Sequence, residues 1–403
     1  MPRTILIIGT LDTKGVEFAY IRDLIVGRGH ATLVVDAGVM EPQWEADISS
    51  ATVALAGGGD IAALRVAGDR ANALEVMCRG ARAVALDLLA SGSIDGVISL
   101  GGSGGTAIAT SAMKALPVGL PKVMVSTMAS GDTSVYVDVK DITMMYSVVD
   151  VSGLNRLSRR ILANAAGAVC GMVEQEIPAG EDKPLVAATM FGVTTPCVTR
   201  VRETLEGAGY EVLVFHATGS GGRAMEALVN DGFIVGVADV TTTEWCDELI
   251  GGVLAAGPER LDAAAKAGIP QVVSVGALDM CNFGPYDTIP AQFKDRNFYR
   301  HNPTVTLMRT TPAECTELGT IIAGKLNAAT GPTALFLPLK GVSMIDADGM
   351  PFWSPEADAA LFDAIRTTLD RSKVDLIELD LHVNDPAFAD AMTERLLGDL
   401  AAR

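Results

Sequence analysis

The feature that most constrains this chain is a recurring unit. A short β-rich run ends in a glycine-rich turn and a helical pattern starts at once, as in TILIIGTLDTKGVEF, GVISLGGSGGTAIAT and VLVFHATGSGGRAME. Strands that alternate with helices are returned to the sheet by crossovers and so run parallel. Parallel strands are covered on both faces, which suits runs of Val, Ile, Leu and Ala better than strict polar alternation. The 42 glycines, 49% hydrophobic content and 5% aromatic content fit the same picture of small-residue strands joined by tight turns. The expected fold class is α/β, with Rossmann-like parallel sheets.

At 403 residues the chain exceeds one ordinary core and suits two domains. Strands are expected at 4–9, 31–35, 96–100, 122–126 and 143–149, and again at 185–190, 211–215, 233–237, 271–275, 334–338 and 375–379. The longest helix is expected over 72–90, where Leu74, Met77, Cys78, Ala81, Val84, Ala85 and Leu88 recur at helical spacing and read as core. A helix over 154–174 runs into EIPAGEDKP, whose prolines, glycine and charges cannot continue it. This places domains at 1–178 and 179–403. ILIIGTLDTKG, GRGHATLVVDAG and IDGVISLGGSGGT are echoed by VAATMFGVTTP, GAGYEVLVFHATGSGG and DGFIVGVADVTTTE, which suggests a duplicated three-strand unit. If both sheets aim their strand carboxyl ends at a common crevice, the glycine turns of both domains meet there.

Charge and cysteine usage narrow the function. A formal net charge of -18 opposes adhesion to nucleic acid or anionic membrane. The four apolar residues after Thr4 are too few for a signal peptide, and no run approaches the ~18 apolar residues of a membrane span. Six cysteines without a CxxC spacing point to a reducing cytoplasm and no structural zinc, and the histidines show neither HxH nor HExxH spacing.

The sharpest motif is LGGSGGT, where Gly101, Gly102, Ser103, Gly104, Gly105 and Thr106 join a strand to a helix start. Backbone N–H groups of such a turn, with the positive end of the helix, cradle an anion, and phosphate uses that geometry best. A tight turn whose glycines only relieve crowding is the alternative. The first strand similarly ends at Gly9 in GTLDTKGVE. Thr10 and Thr13 offer hydroxyls, Lys14 offers a point charge, and Asp12 offers a carboxylate for magnesium or for a helix N–H. Asp36 ends the second strand, where an acidic side chain accepts from ribose hydroxyls, or simply shapes a turn. Ser130, Gly131 and Asp132 leave the fourth strand and stand as a loop to close over a nucleotide or hold magnesium.

In the second half, Gly219, Ser220, Gly221 and Gly222 repeat the anion nest, and Arg223 adds a cation for a carboxylate or phosphate. The segment 274–314 reads as one long polar loop. Within it, His301 and Lys294 are candidates for proton transfer, Cys281 for a nucleophile, and Arg296 for binding an acidic substrate.

Taken together, IIGTLDTKGVE, ISLGGSGGT, VSTMASGD, GVTTPCV, FHATGSGGRAMEAL, GVADVTTTE, GALDMCNFG, FKDRNFYRHNPTVTLMRTT and PLKGVSMID resemble an otherwise uncharacterised family of bacterial, fungal and plant proteins. That family includes the tomato mosaic virus resistance protein. The resemblance spans essentially the whole chain. It implies two Rossmann-like subdomains, a homodimer, and ATP bound mainly by the first subdomain through the loops at 9–15 and 101–106. The function to be tested is therefore ATP and Mg2+ binding, with an enzyme acting on a small carboxylate as the fuller form and an ATP-regulated interaction protein as the alternative. A nicotinamide-dependent oxidoreductase would need GxGxxG after the first strand, which GTLDTKG lacks.

Overall fold

The computed structural model describes residues 2–178, 180 and 182–402. The chain divides into two compact units, Met1–Ala179 and Gly180–Arg403. Unit 1 carries β1 (Thr4–Gly9), α1 (Leu11–Gly27), β2 (Ala31–Asp36), α2 (Ser50–Ala56), α3 (Ile61–Ala67), α4 (Arg70–Ala90), β3 (Gly96–Gly101), α5 (Ser103–Ala115), β4 (Lys122–Ser126), α6 (Ser134–Val137), β5 (Thr143–Tyr146) and α7 (Arg156–Glu174). Its five strands are all parallel, in the order β2-β1-β3-β4-β5. One face packs Leu6, Ile8, Val97 and Met124 under α2, α4 and α5, and the other packs Ile5, Ile7, Ile98, Val123 and Val125 under α1 and α7. Both faces of each central strand are thus covered, which is why those strands read as unbroken apolar runs. Val148, with φ of 65°, lies beyond the end of β5, which stops at Tyr146 rather than at the expected 149.

Unit 2 carries β6 (Leu185–Met190), α8 (Thr195–Gly207), β7 (Glu211–His216), α9 (Ser220–Asn230), β8 (Ile234–Thr241), α10 (Glu244–Ile250), α11 (Ala263–Ala267), β9 (Gln271–Gly276), β10 (Met280–Phe283), β11 (Phe298–Asn302), β12 (Val305–Arg309), α12 (Pro312–Leu326), β13 (Thr333–Pro338), α13 (Pro355–Thr368), β14 (Asp375–Leu379) and α14 (Pro386–Ala401). Its main sheet is parallel, in the order β14-β13-β9-β8-β6-β7. The first three strands of each unit are therefore laid down alike: the second strand flanks the first on one side and the third flanks it on the other. That shared order is what the sequence echo between the halves corresponds to.

The segment expected as a long polar loop is different. It holds β10, β11 and β12, an antiparallel sheet in the order β10-β12-β11. Its buried strand, MCNF, and VTLMR beside it bury Met280, Cys281, Phe283, Leu307 and Met308. The dense charge around them conceals these short runs in the sequence. Among the described residues, no helix is long and apolar enough to cross a membrane.

Candidate functional site

In a sheet ordered β2-β1-β3-β4-β5 the connections change direction between β1 and β3. The crevice outside the carboxyl ends of those two strands is where such folds take ligands. In unit 1 the two loops that open there are GTLDTKG after β1 and LGGSGGT after β3. Between them lies a cleft of about 580 Å³, within the size range of small-molecule sites. Thr10, Asp12, Thr13, Lys14, Gly102, Ser103, Gly104 and Gly105 all line it, so two motifs separated by ninety residues of sequence share one cavity.

The glycine turn forms as an anion site requires. Gly102 takes extended backbone geometry as N-cap of α5, no side chain caps the helix, and the first helical bond runs from Thr106 N–H to the Gly102 carbonyl at 2.9 Å. The N–H groups of Ser103, Gly104 and Gly105 precede that bond and have no partner within the helix, while the helix dipole adds positive potential at the same end. A Cβ placed on Gly104 would meet nothing closer than 3.9 Å, so relief of crowding does not require a glycine here.

The β1 loop supplies side chains. The Thr10 and Thr13 hydroxyls stand 3.1 Å apart. Lys14 lines the cleft, but its ammonium donates to the Val151 carbonyl. Asp12 Oδ2 accepts from the N–H groups of Val39 and Met40 at 3.1 and 3.0 Å, while its Oδ1 is buried without a partner. An orphaned carboxylate oxygen in a cleft wall is costly unless a donor arrives.

Some expected contacts belong to the scaffold instead. Asp36 is 1% exposed, and its Oδ1 accepts from Leu11 N–H at the start of α1 and from Gly38 N–H. Burial pushes its pKa up, and the side chain braces the β1 and β2 loops rather than facing a ribose. Thr106 is buried with its hydroxyl 2.7 Å from that of Ser126, so it ties α5 to β4 and offers no phosphate contact. Gly9 and Gly101 are the buried last residues of β1 and β3, and Gly9 abuts the Phe18 ring. Ser130, Gly131 and Asp132 are exposed and do not line the cleft. Asp132 accepts from Ser134 N–H, which holds its carboxyl below the usual range. Among the described residues, no group of three or more His, Cys, Asp or Glu is placed to hold a metal, so Asp12 and Asp132 do not build a protein cage for magnesium.

Several cleft residues escape the sequence. Val39, Met40, Leu64, Ala73, Leu74, Met77 and Ile108 form its apolar wall, and Arg65 and Arg70 add cations. The α4 stripe was assigned to the core, and Met77 and Ala73 are buried, yet the N-terminal end of that stripe faces the cleft. The available signal was the N-cap Asp69, whose carboxylate accepts from Ala71 and Asn72 N–H and so fixes Arg70 in the first turn.

Unit 2 closes its corresponding turn. Gly219 and Gly222 N–H donate to Glu244 Oε1 at 2.7 and 3.0 Å, and a Cβ on Gly222 would fall 2.1 Å from Glu244 Oε2. The expected ligand anion is thus the protein's own carboxylate. Glu244 is neutralised by Arg260 at 2.7 Å, which also clamps Asp239 through two bonds of 2.5 and 2.7 Å, and every member of that trio is buried. Ser220 and Arg223 are exposed beside the filled nest, and Arg223 reaches the Ala255 carbonyl at 3.3 Å. Arg296 pairs with Glu314 at 2.6 Å and donates to the Arg309 carbonyl, a structural use rather than a substrate clamp. Cys281 is fully buried in β10, and burial pushes its thiol far above the usual range, the opposite of an activated nucleophile. Lys294 and His301 are exposed, on the segment before β11 and on β11 itself.

Residues 3–178 match the N-terminal domain of Uncharacterised protein family UPF0261, and residues 183–399 match its C-terminal domain. A UPF0261 protein of Clostridium tetani is 56% identical over 98% of this chain and 99% of its own length. One from Rhizobium meliloti is 50% identical over 96% and 97%. The ToMV resistance protein Tm-1(GCR237) of Solanum lycopersicum is 47% identical over 76% of this chain, a match that spans 41% of the plant protein. UDP-N-acetylglucosamine 2-epimerase from Rickettsia bellii aligns over 100% of this chain and 97% of its own, with a TM-score of 0.23 and 9% identity, too weak a likeness to bear on function.

Proposed function

The chain belongs to the UPF0261 family, and from the cleft of its N-terminal unit we propose that it is an ATP-binding protein whose phosphate site is the turn Gly102–Ser103–Gly104–Gly105. The observation that carries this is the uncapped start of α5 opening into a 580 Å³ cleft at the point where the connections of the sheet change direction. Backbone N–H groups and the helix dipole suit phosphate. Thr10, Thr13, Lys14, Arg65 and Arg70 line the same space with hydroxyls and cations. Leu64, Leu74, Met77 and Ile108 offer a dry wall for a planar base. Magnesium would enter with the phosphates, and Asp12 Oδ1, a buried carboxylate oxygen without a partner in the cleft wall, would serve it or its waters. Action on a small carboxylate substrate loses its main support, because the nest expected to hold that acid is filled by Glu244.

The test is calorimetry with ATP, ADP and AMP, together with melting curves. Affinity is expected in the range of about 1 μM to 1 mM, as small-molecule sites commonly show, and ATP at 100 times its Kd should add about 2.7 kcal/mol to stability. No heat and no shift in Tm with any of the three would defeat the proposal.

A further inference from the structure

Given an ATP site in this cleft, one residue stands out as the reader of phosphate number. Arg70, Ala73, Leu74 and Met77 occupy one face of α4 at helical spacing, and all four line the cleft. Met77 is buried at the inner end and Arg70 is exposed at the rim. At 1.5 Å of rise per residue they are about 10 Å apart along the helix. A nucleoside seated against the apolar end therefore sends its phosphates toward Arg70.

The cleft cations differ in what they are already doing. Lys14 donates to the Val151 carbonyl, and Arg65 donates to the carbonyls of Val39 and Met40 and pairs with Glu41. Among the described residues, the Arg70 guanidinium makes no hydrogen bond and no ion pair, although its Nη2 lies 3.9 Å from where a Cβ on Gly104 would stand. An uncapped helix start and an uncommitted guanidinium thus face each other. Of the nearby carboxylates, Asp69 Oδ1 accepts from the first turn of α4, and Asp12 Oδ2 accepts from Val39 and Met40. Two positive groups held this way become favourable once an anion sits between them.

We propose that Arg70 binds the phosphate farthest from the nucleoside and sets a preference for ATP over ADP and AMP. The planar fork of arginine grips two oxygens of a terminal phosphate, a contact that a shorter nucleotide cannot make.

Calorimetry on the full chain tests this with ATP, ADP and AMP against the parent, Arg70→Ala and Arg70→Lys. The parent should bind ATP best and AMP worst. Arg70→Ala should weaken ATP on the order of tenfold to hundredfold while changing AMP little, so the three affinities converge. Arg70→Lys should fall between, because a point charge replaces the fork. The ligand-free variants should melt with the parent, since the side chain is exposed. An equal loss for all three nucleotides, or no loss for ATP, overturns the role of Arg70 while leaving the ATP site standing. A parent protein that binds none of the three overturns the ATP site itself, and Arg70 with it.

Discussion

The two glycine turns of this molecule are written almost alike and are used in opposite ways. LGGSGGT in unit 1 and TGSGGR in unit 2 each leave a parallel strand and enter a helix. In unit 1 the turn opens on a cleft and no side chain caps α5. In unit 2 the turn is closed by Glu244, which is held by the fully buried Arg260. A nest of N–H groups asks for an anion, and its own sequence does not say whether that anion is a ligand or a carboxylate from 22 residues further along the chain. The difference is one of energy. A turn filled by a buried carboxylate contributes to the fold, whereas a turn left open holds binding capacity in reserve.

The largest break in this contrast should come from Glu244. Replacing it with Ala removes one partner of a buried ion cluster, leaves Arg260 with fewer counter-charges and strips the acceptor from Gly219 and Gly222. Losses of about 3–5 kcal/mol accompany that kind of change. Chemical denaturation followed by hydrogen exchange should show unit 2 opening first. Ser103→Ala, the closest equivalent in unit 1, should cost at most about 0.5 kcal/mol, since the Ser103 side chain caps nothing. Equal stabilities for the two variants would show that the Glu244 contacts carry no weight.

A second difference should appear with pH. Unit 2 collects Asp279, Asp346 and Asp358 around one buried guanidinium, Arg309, with Asp358 at 2.7 Å and Asp346 at 3.5 Å. The Asp279 carboxylate acts on Arg309 by charge without a hydrogen bond to it; its Oδ2 accepts from the Ser343 hydroxyl and its Oδ1 is orphaned. Burial, with like charge from Asp346, pushes Asp279 up to about 8 and Asp358 up to about 7, and burial, with like charge from Glu244, drives Asp247 to about 7. In the unfolded chain these groups titrate near 3.9. The native state therefore binds more protons between the two values, so stability is full below about pH 4 for these groups and declines as pH rises through 7 to 8. Unit 1 contributes Asp36 in the same direction. Hydrogen-exchange opening energies measured at pH 6 and pH 9 should fall more in unit 2, and Asp279→Asn should flatten the slope. A slope that Asp279→Asn leaves intact would remove Asp279 from the account.

The fold was legible because parallel strands carry their own signal. The apolar runs at 4–9, 122–126 and 185–190 are strands to the residue, since burial on both faces leaves no room for polar alternation. β10 and β12 escaped because four- and five-residue strands flanked by charge leave no periodic stretch long enough to weigh. That Thr10, Asp12, Thr13, Lys14 and the 102–105 turn meet at one cleft could be read because all of them follow the carboxyl ends of adjacent parallel strands. Asp36 and Thr106 could not be sorted from them, because a buried brace and a ligand contact use the same residue types at the same strand end. Arg70 was hidden by its helix: position on the wheel says which face a residue takes, not whether that face is covered along its whole length.

The contrast sharpens at Gly104. A Cβ there meets only ordinary contacts with the ends of the Arg70 and Leu74 side chains, so the protein should fold, but a Val side chain would stand over the N–H groups that face the cleft. ATP affinity should drop about tenfold or more, and Tm without ligand should change little. Retained affinity in Gly104→Val would reduce LGGSGGT to a turn and make the two units alike after all.

The smallest effects are expected from Lys294→Ala and His301→Ala, and they bear on whether unit 2 has any part in nucleotide binding. Both residues are exposed, one just before β11 and one on that edge strand. The segment around them is held by other contacts, such as Arg296 on Glu314 and Arg300 stacked 3.8 Å over the Tyr286 ring. Among the described residues neither side chain makes a hydrogen bond or ion pair, so removing both should shift stability by no more than about 0.5 kcal/mol. If the phosphates are held by backbone groups of unit 1, ATP affinity should stay within about twofold of the parent, under 0.5 kcal/mol at 1.4 kcal/mol per tenfold. Calorimetry at fixed ionic strength is the required measurement, because loss of any Lys in a chain of charge -18 can weaken anion binding through the general field alone. A tenfold loss that persists at high salt would mean that these side chains touch the nucleotide, and the division of labour between an open unit 1 and a closed unit 2 would have to be abandoned.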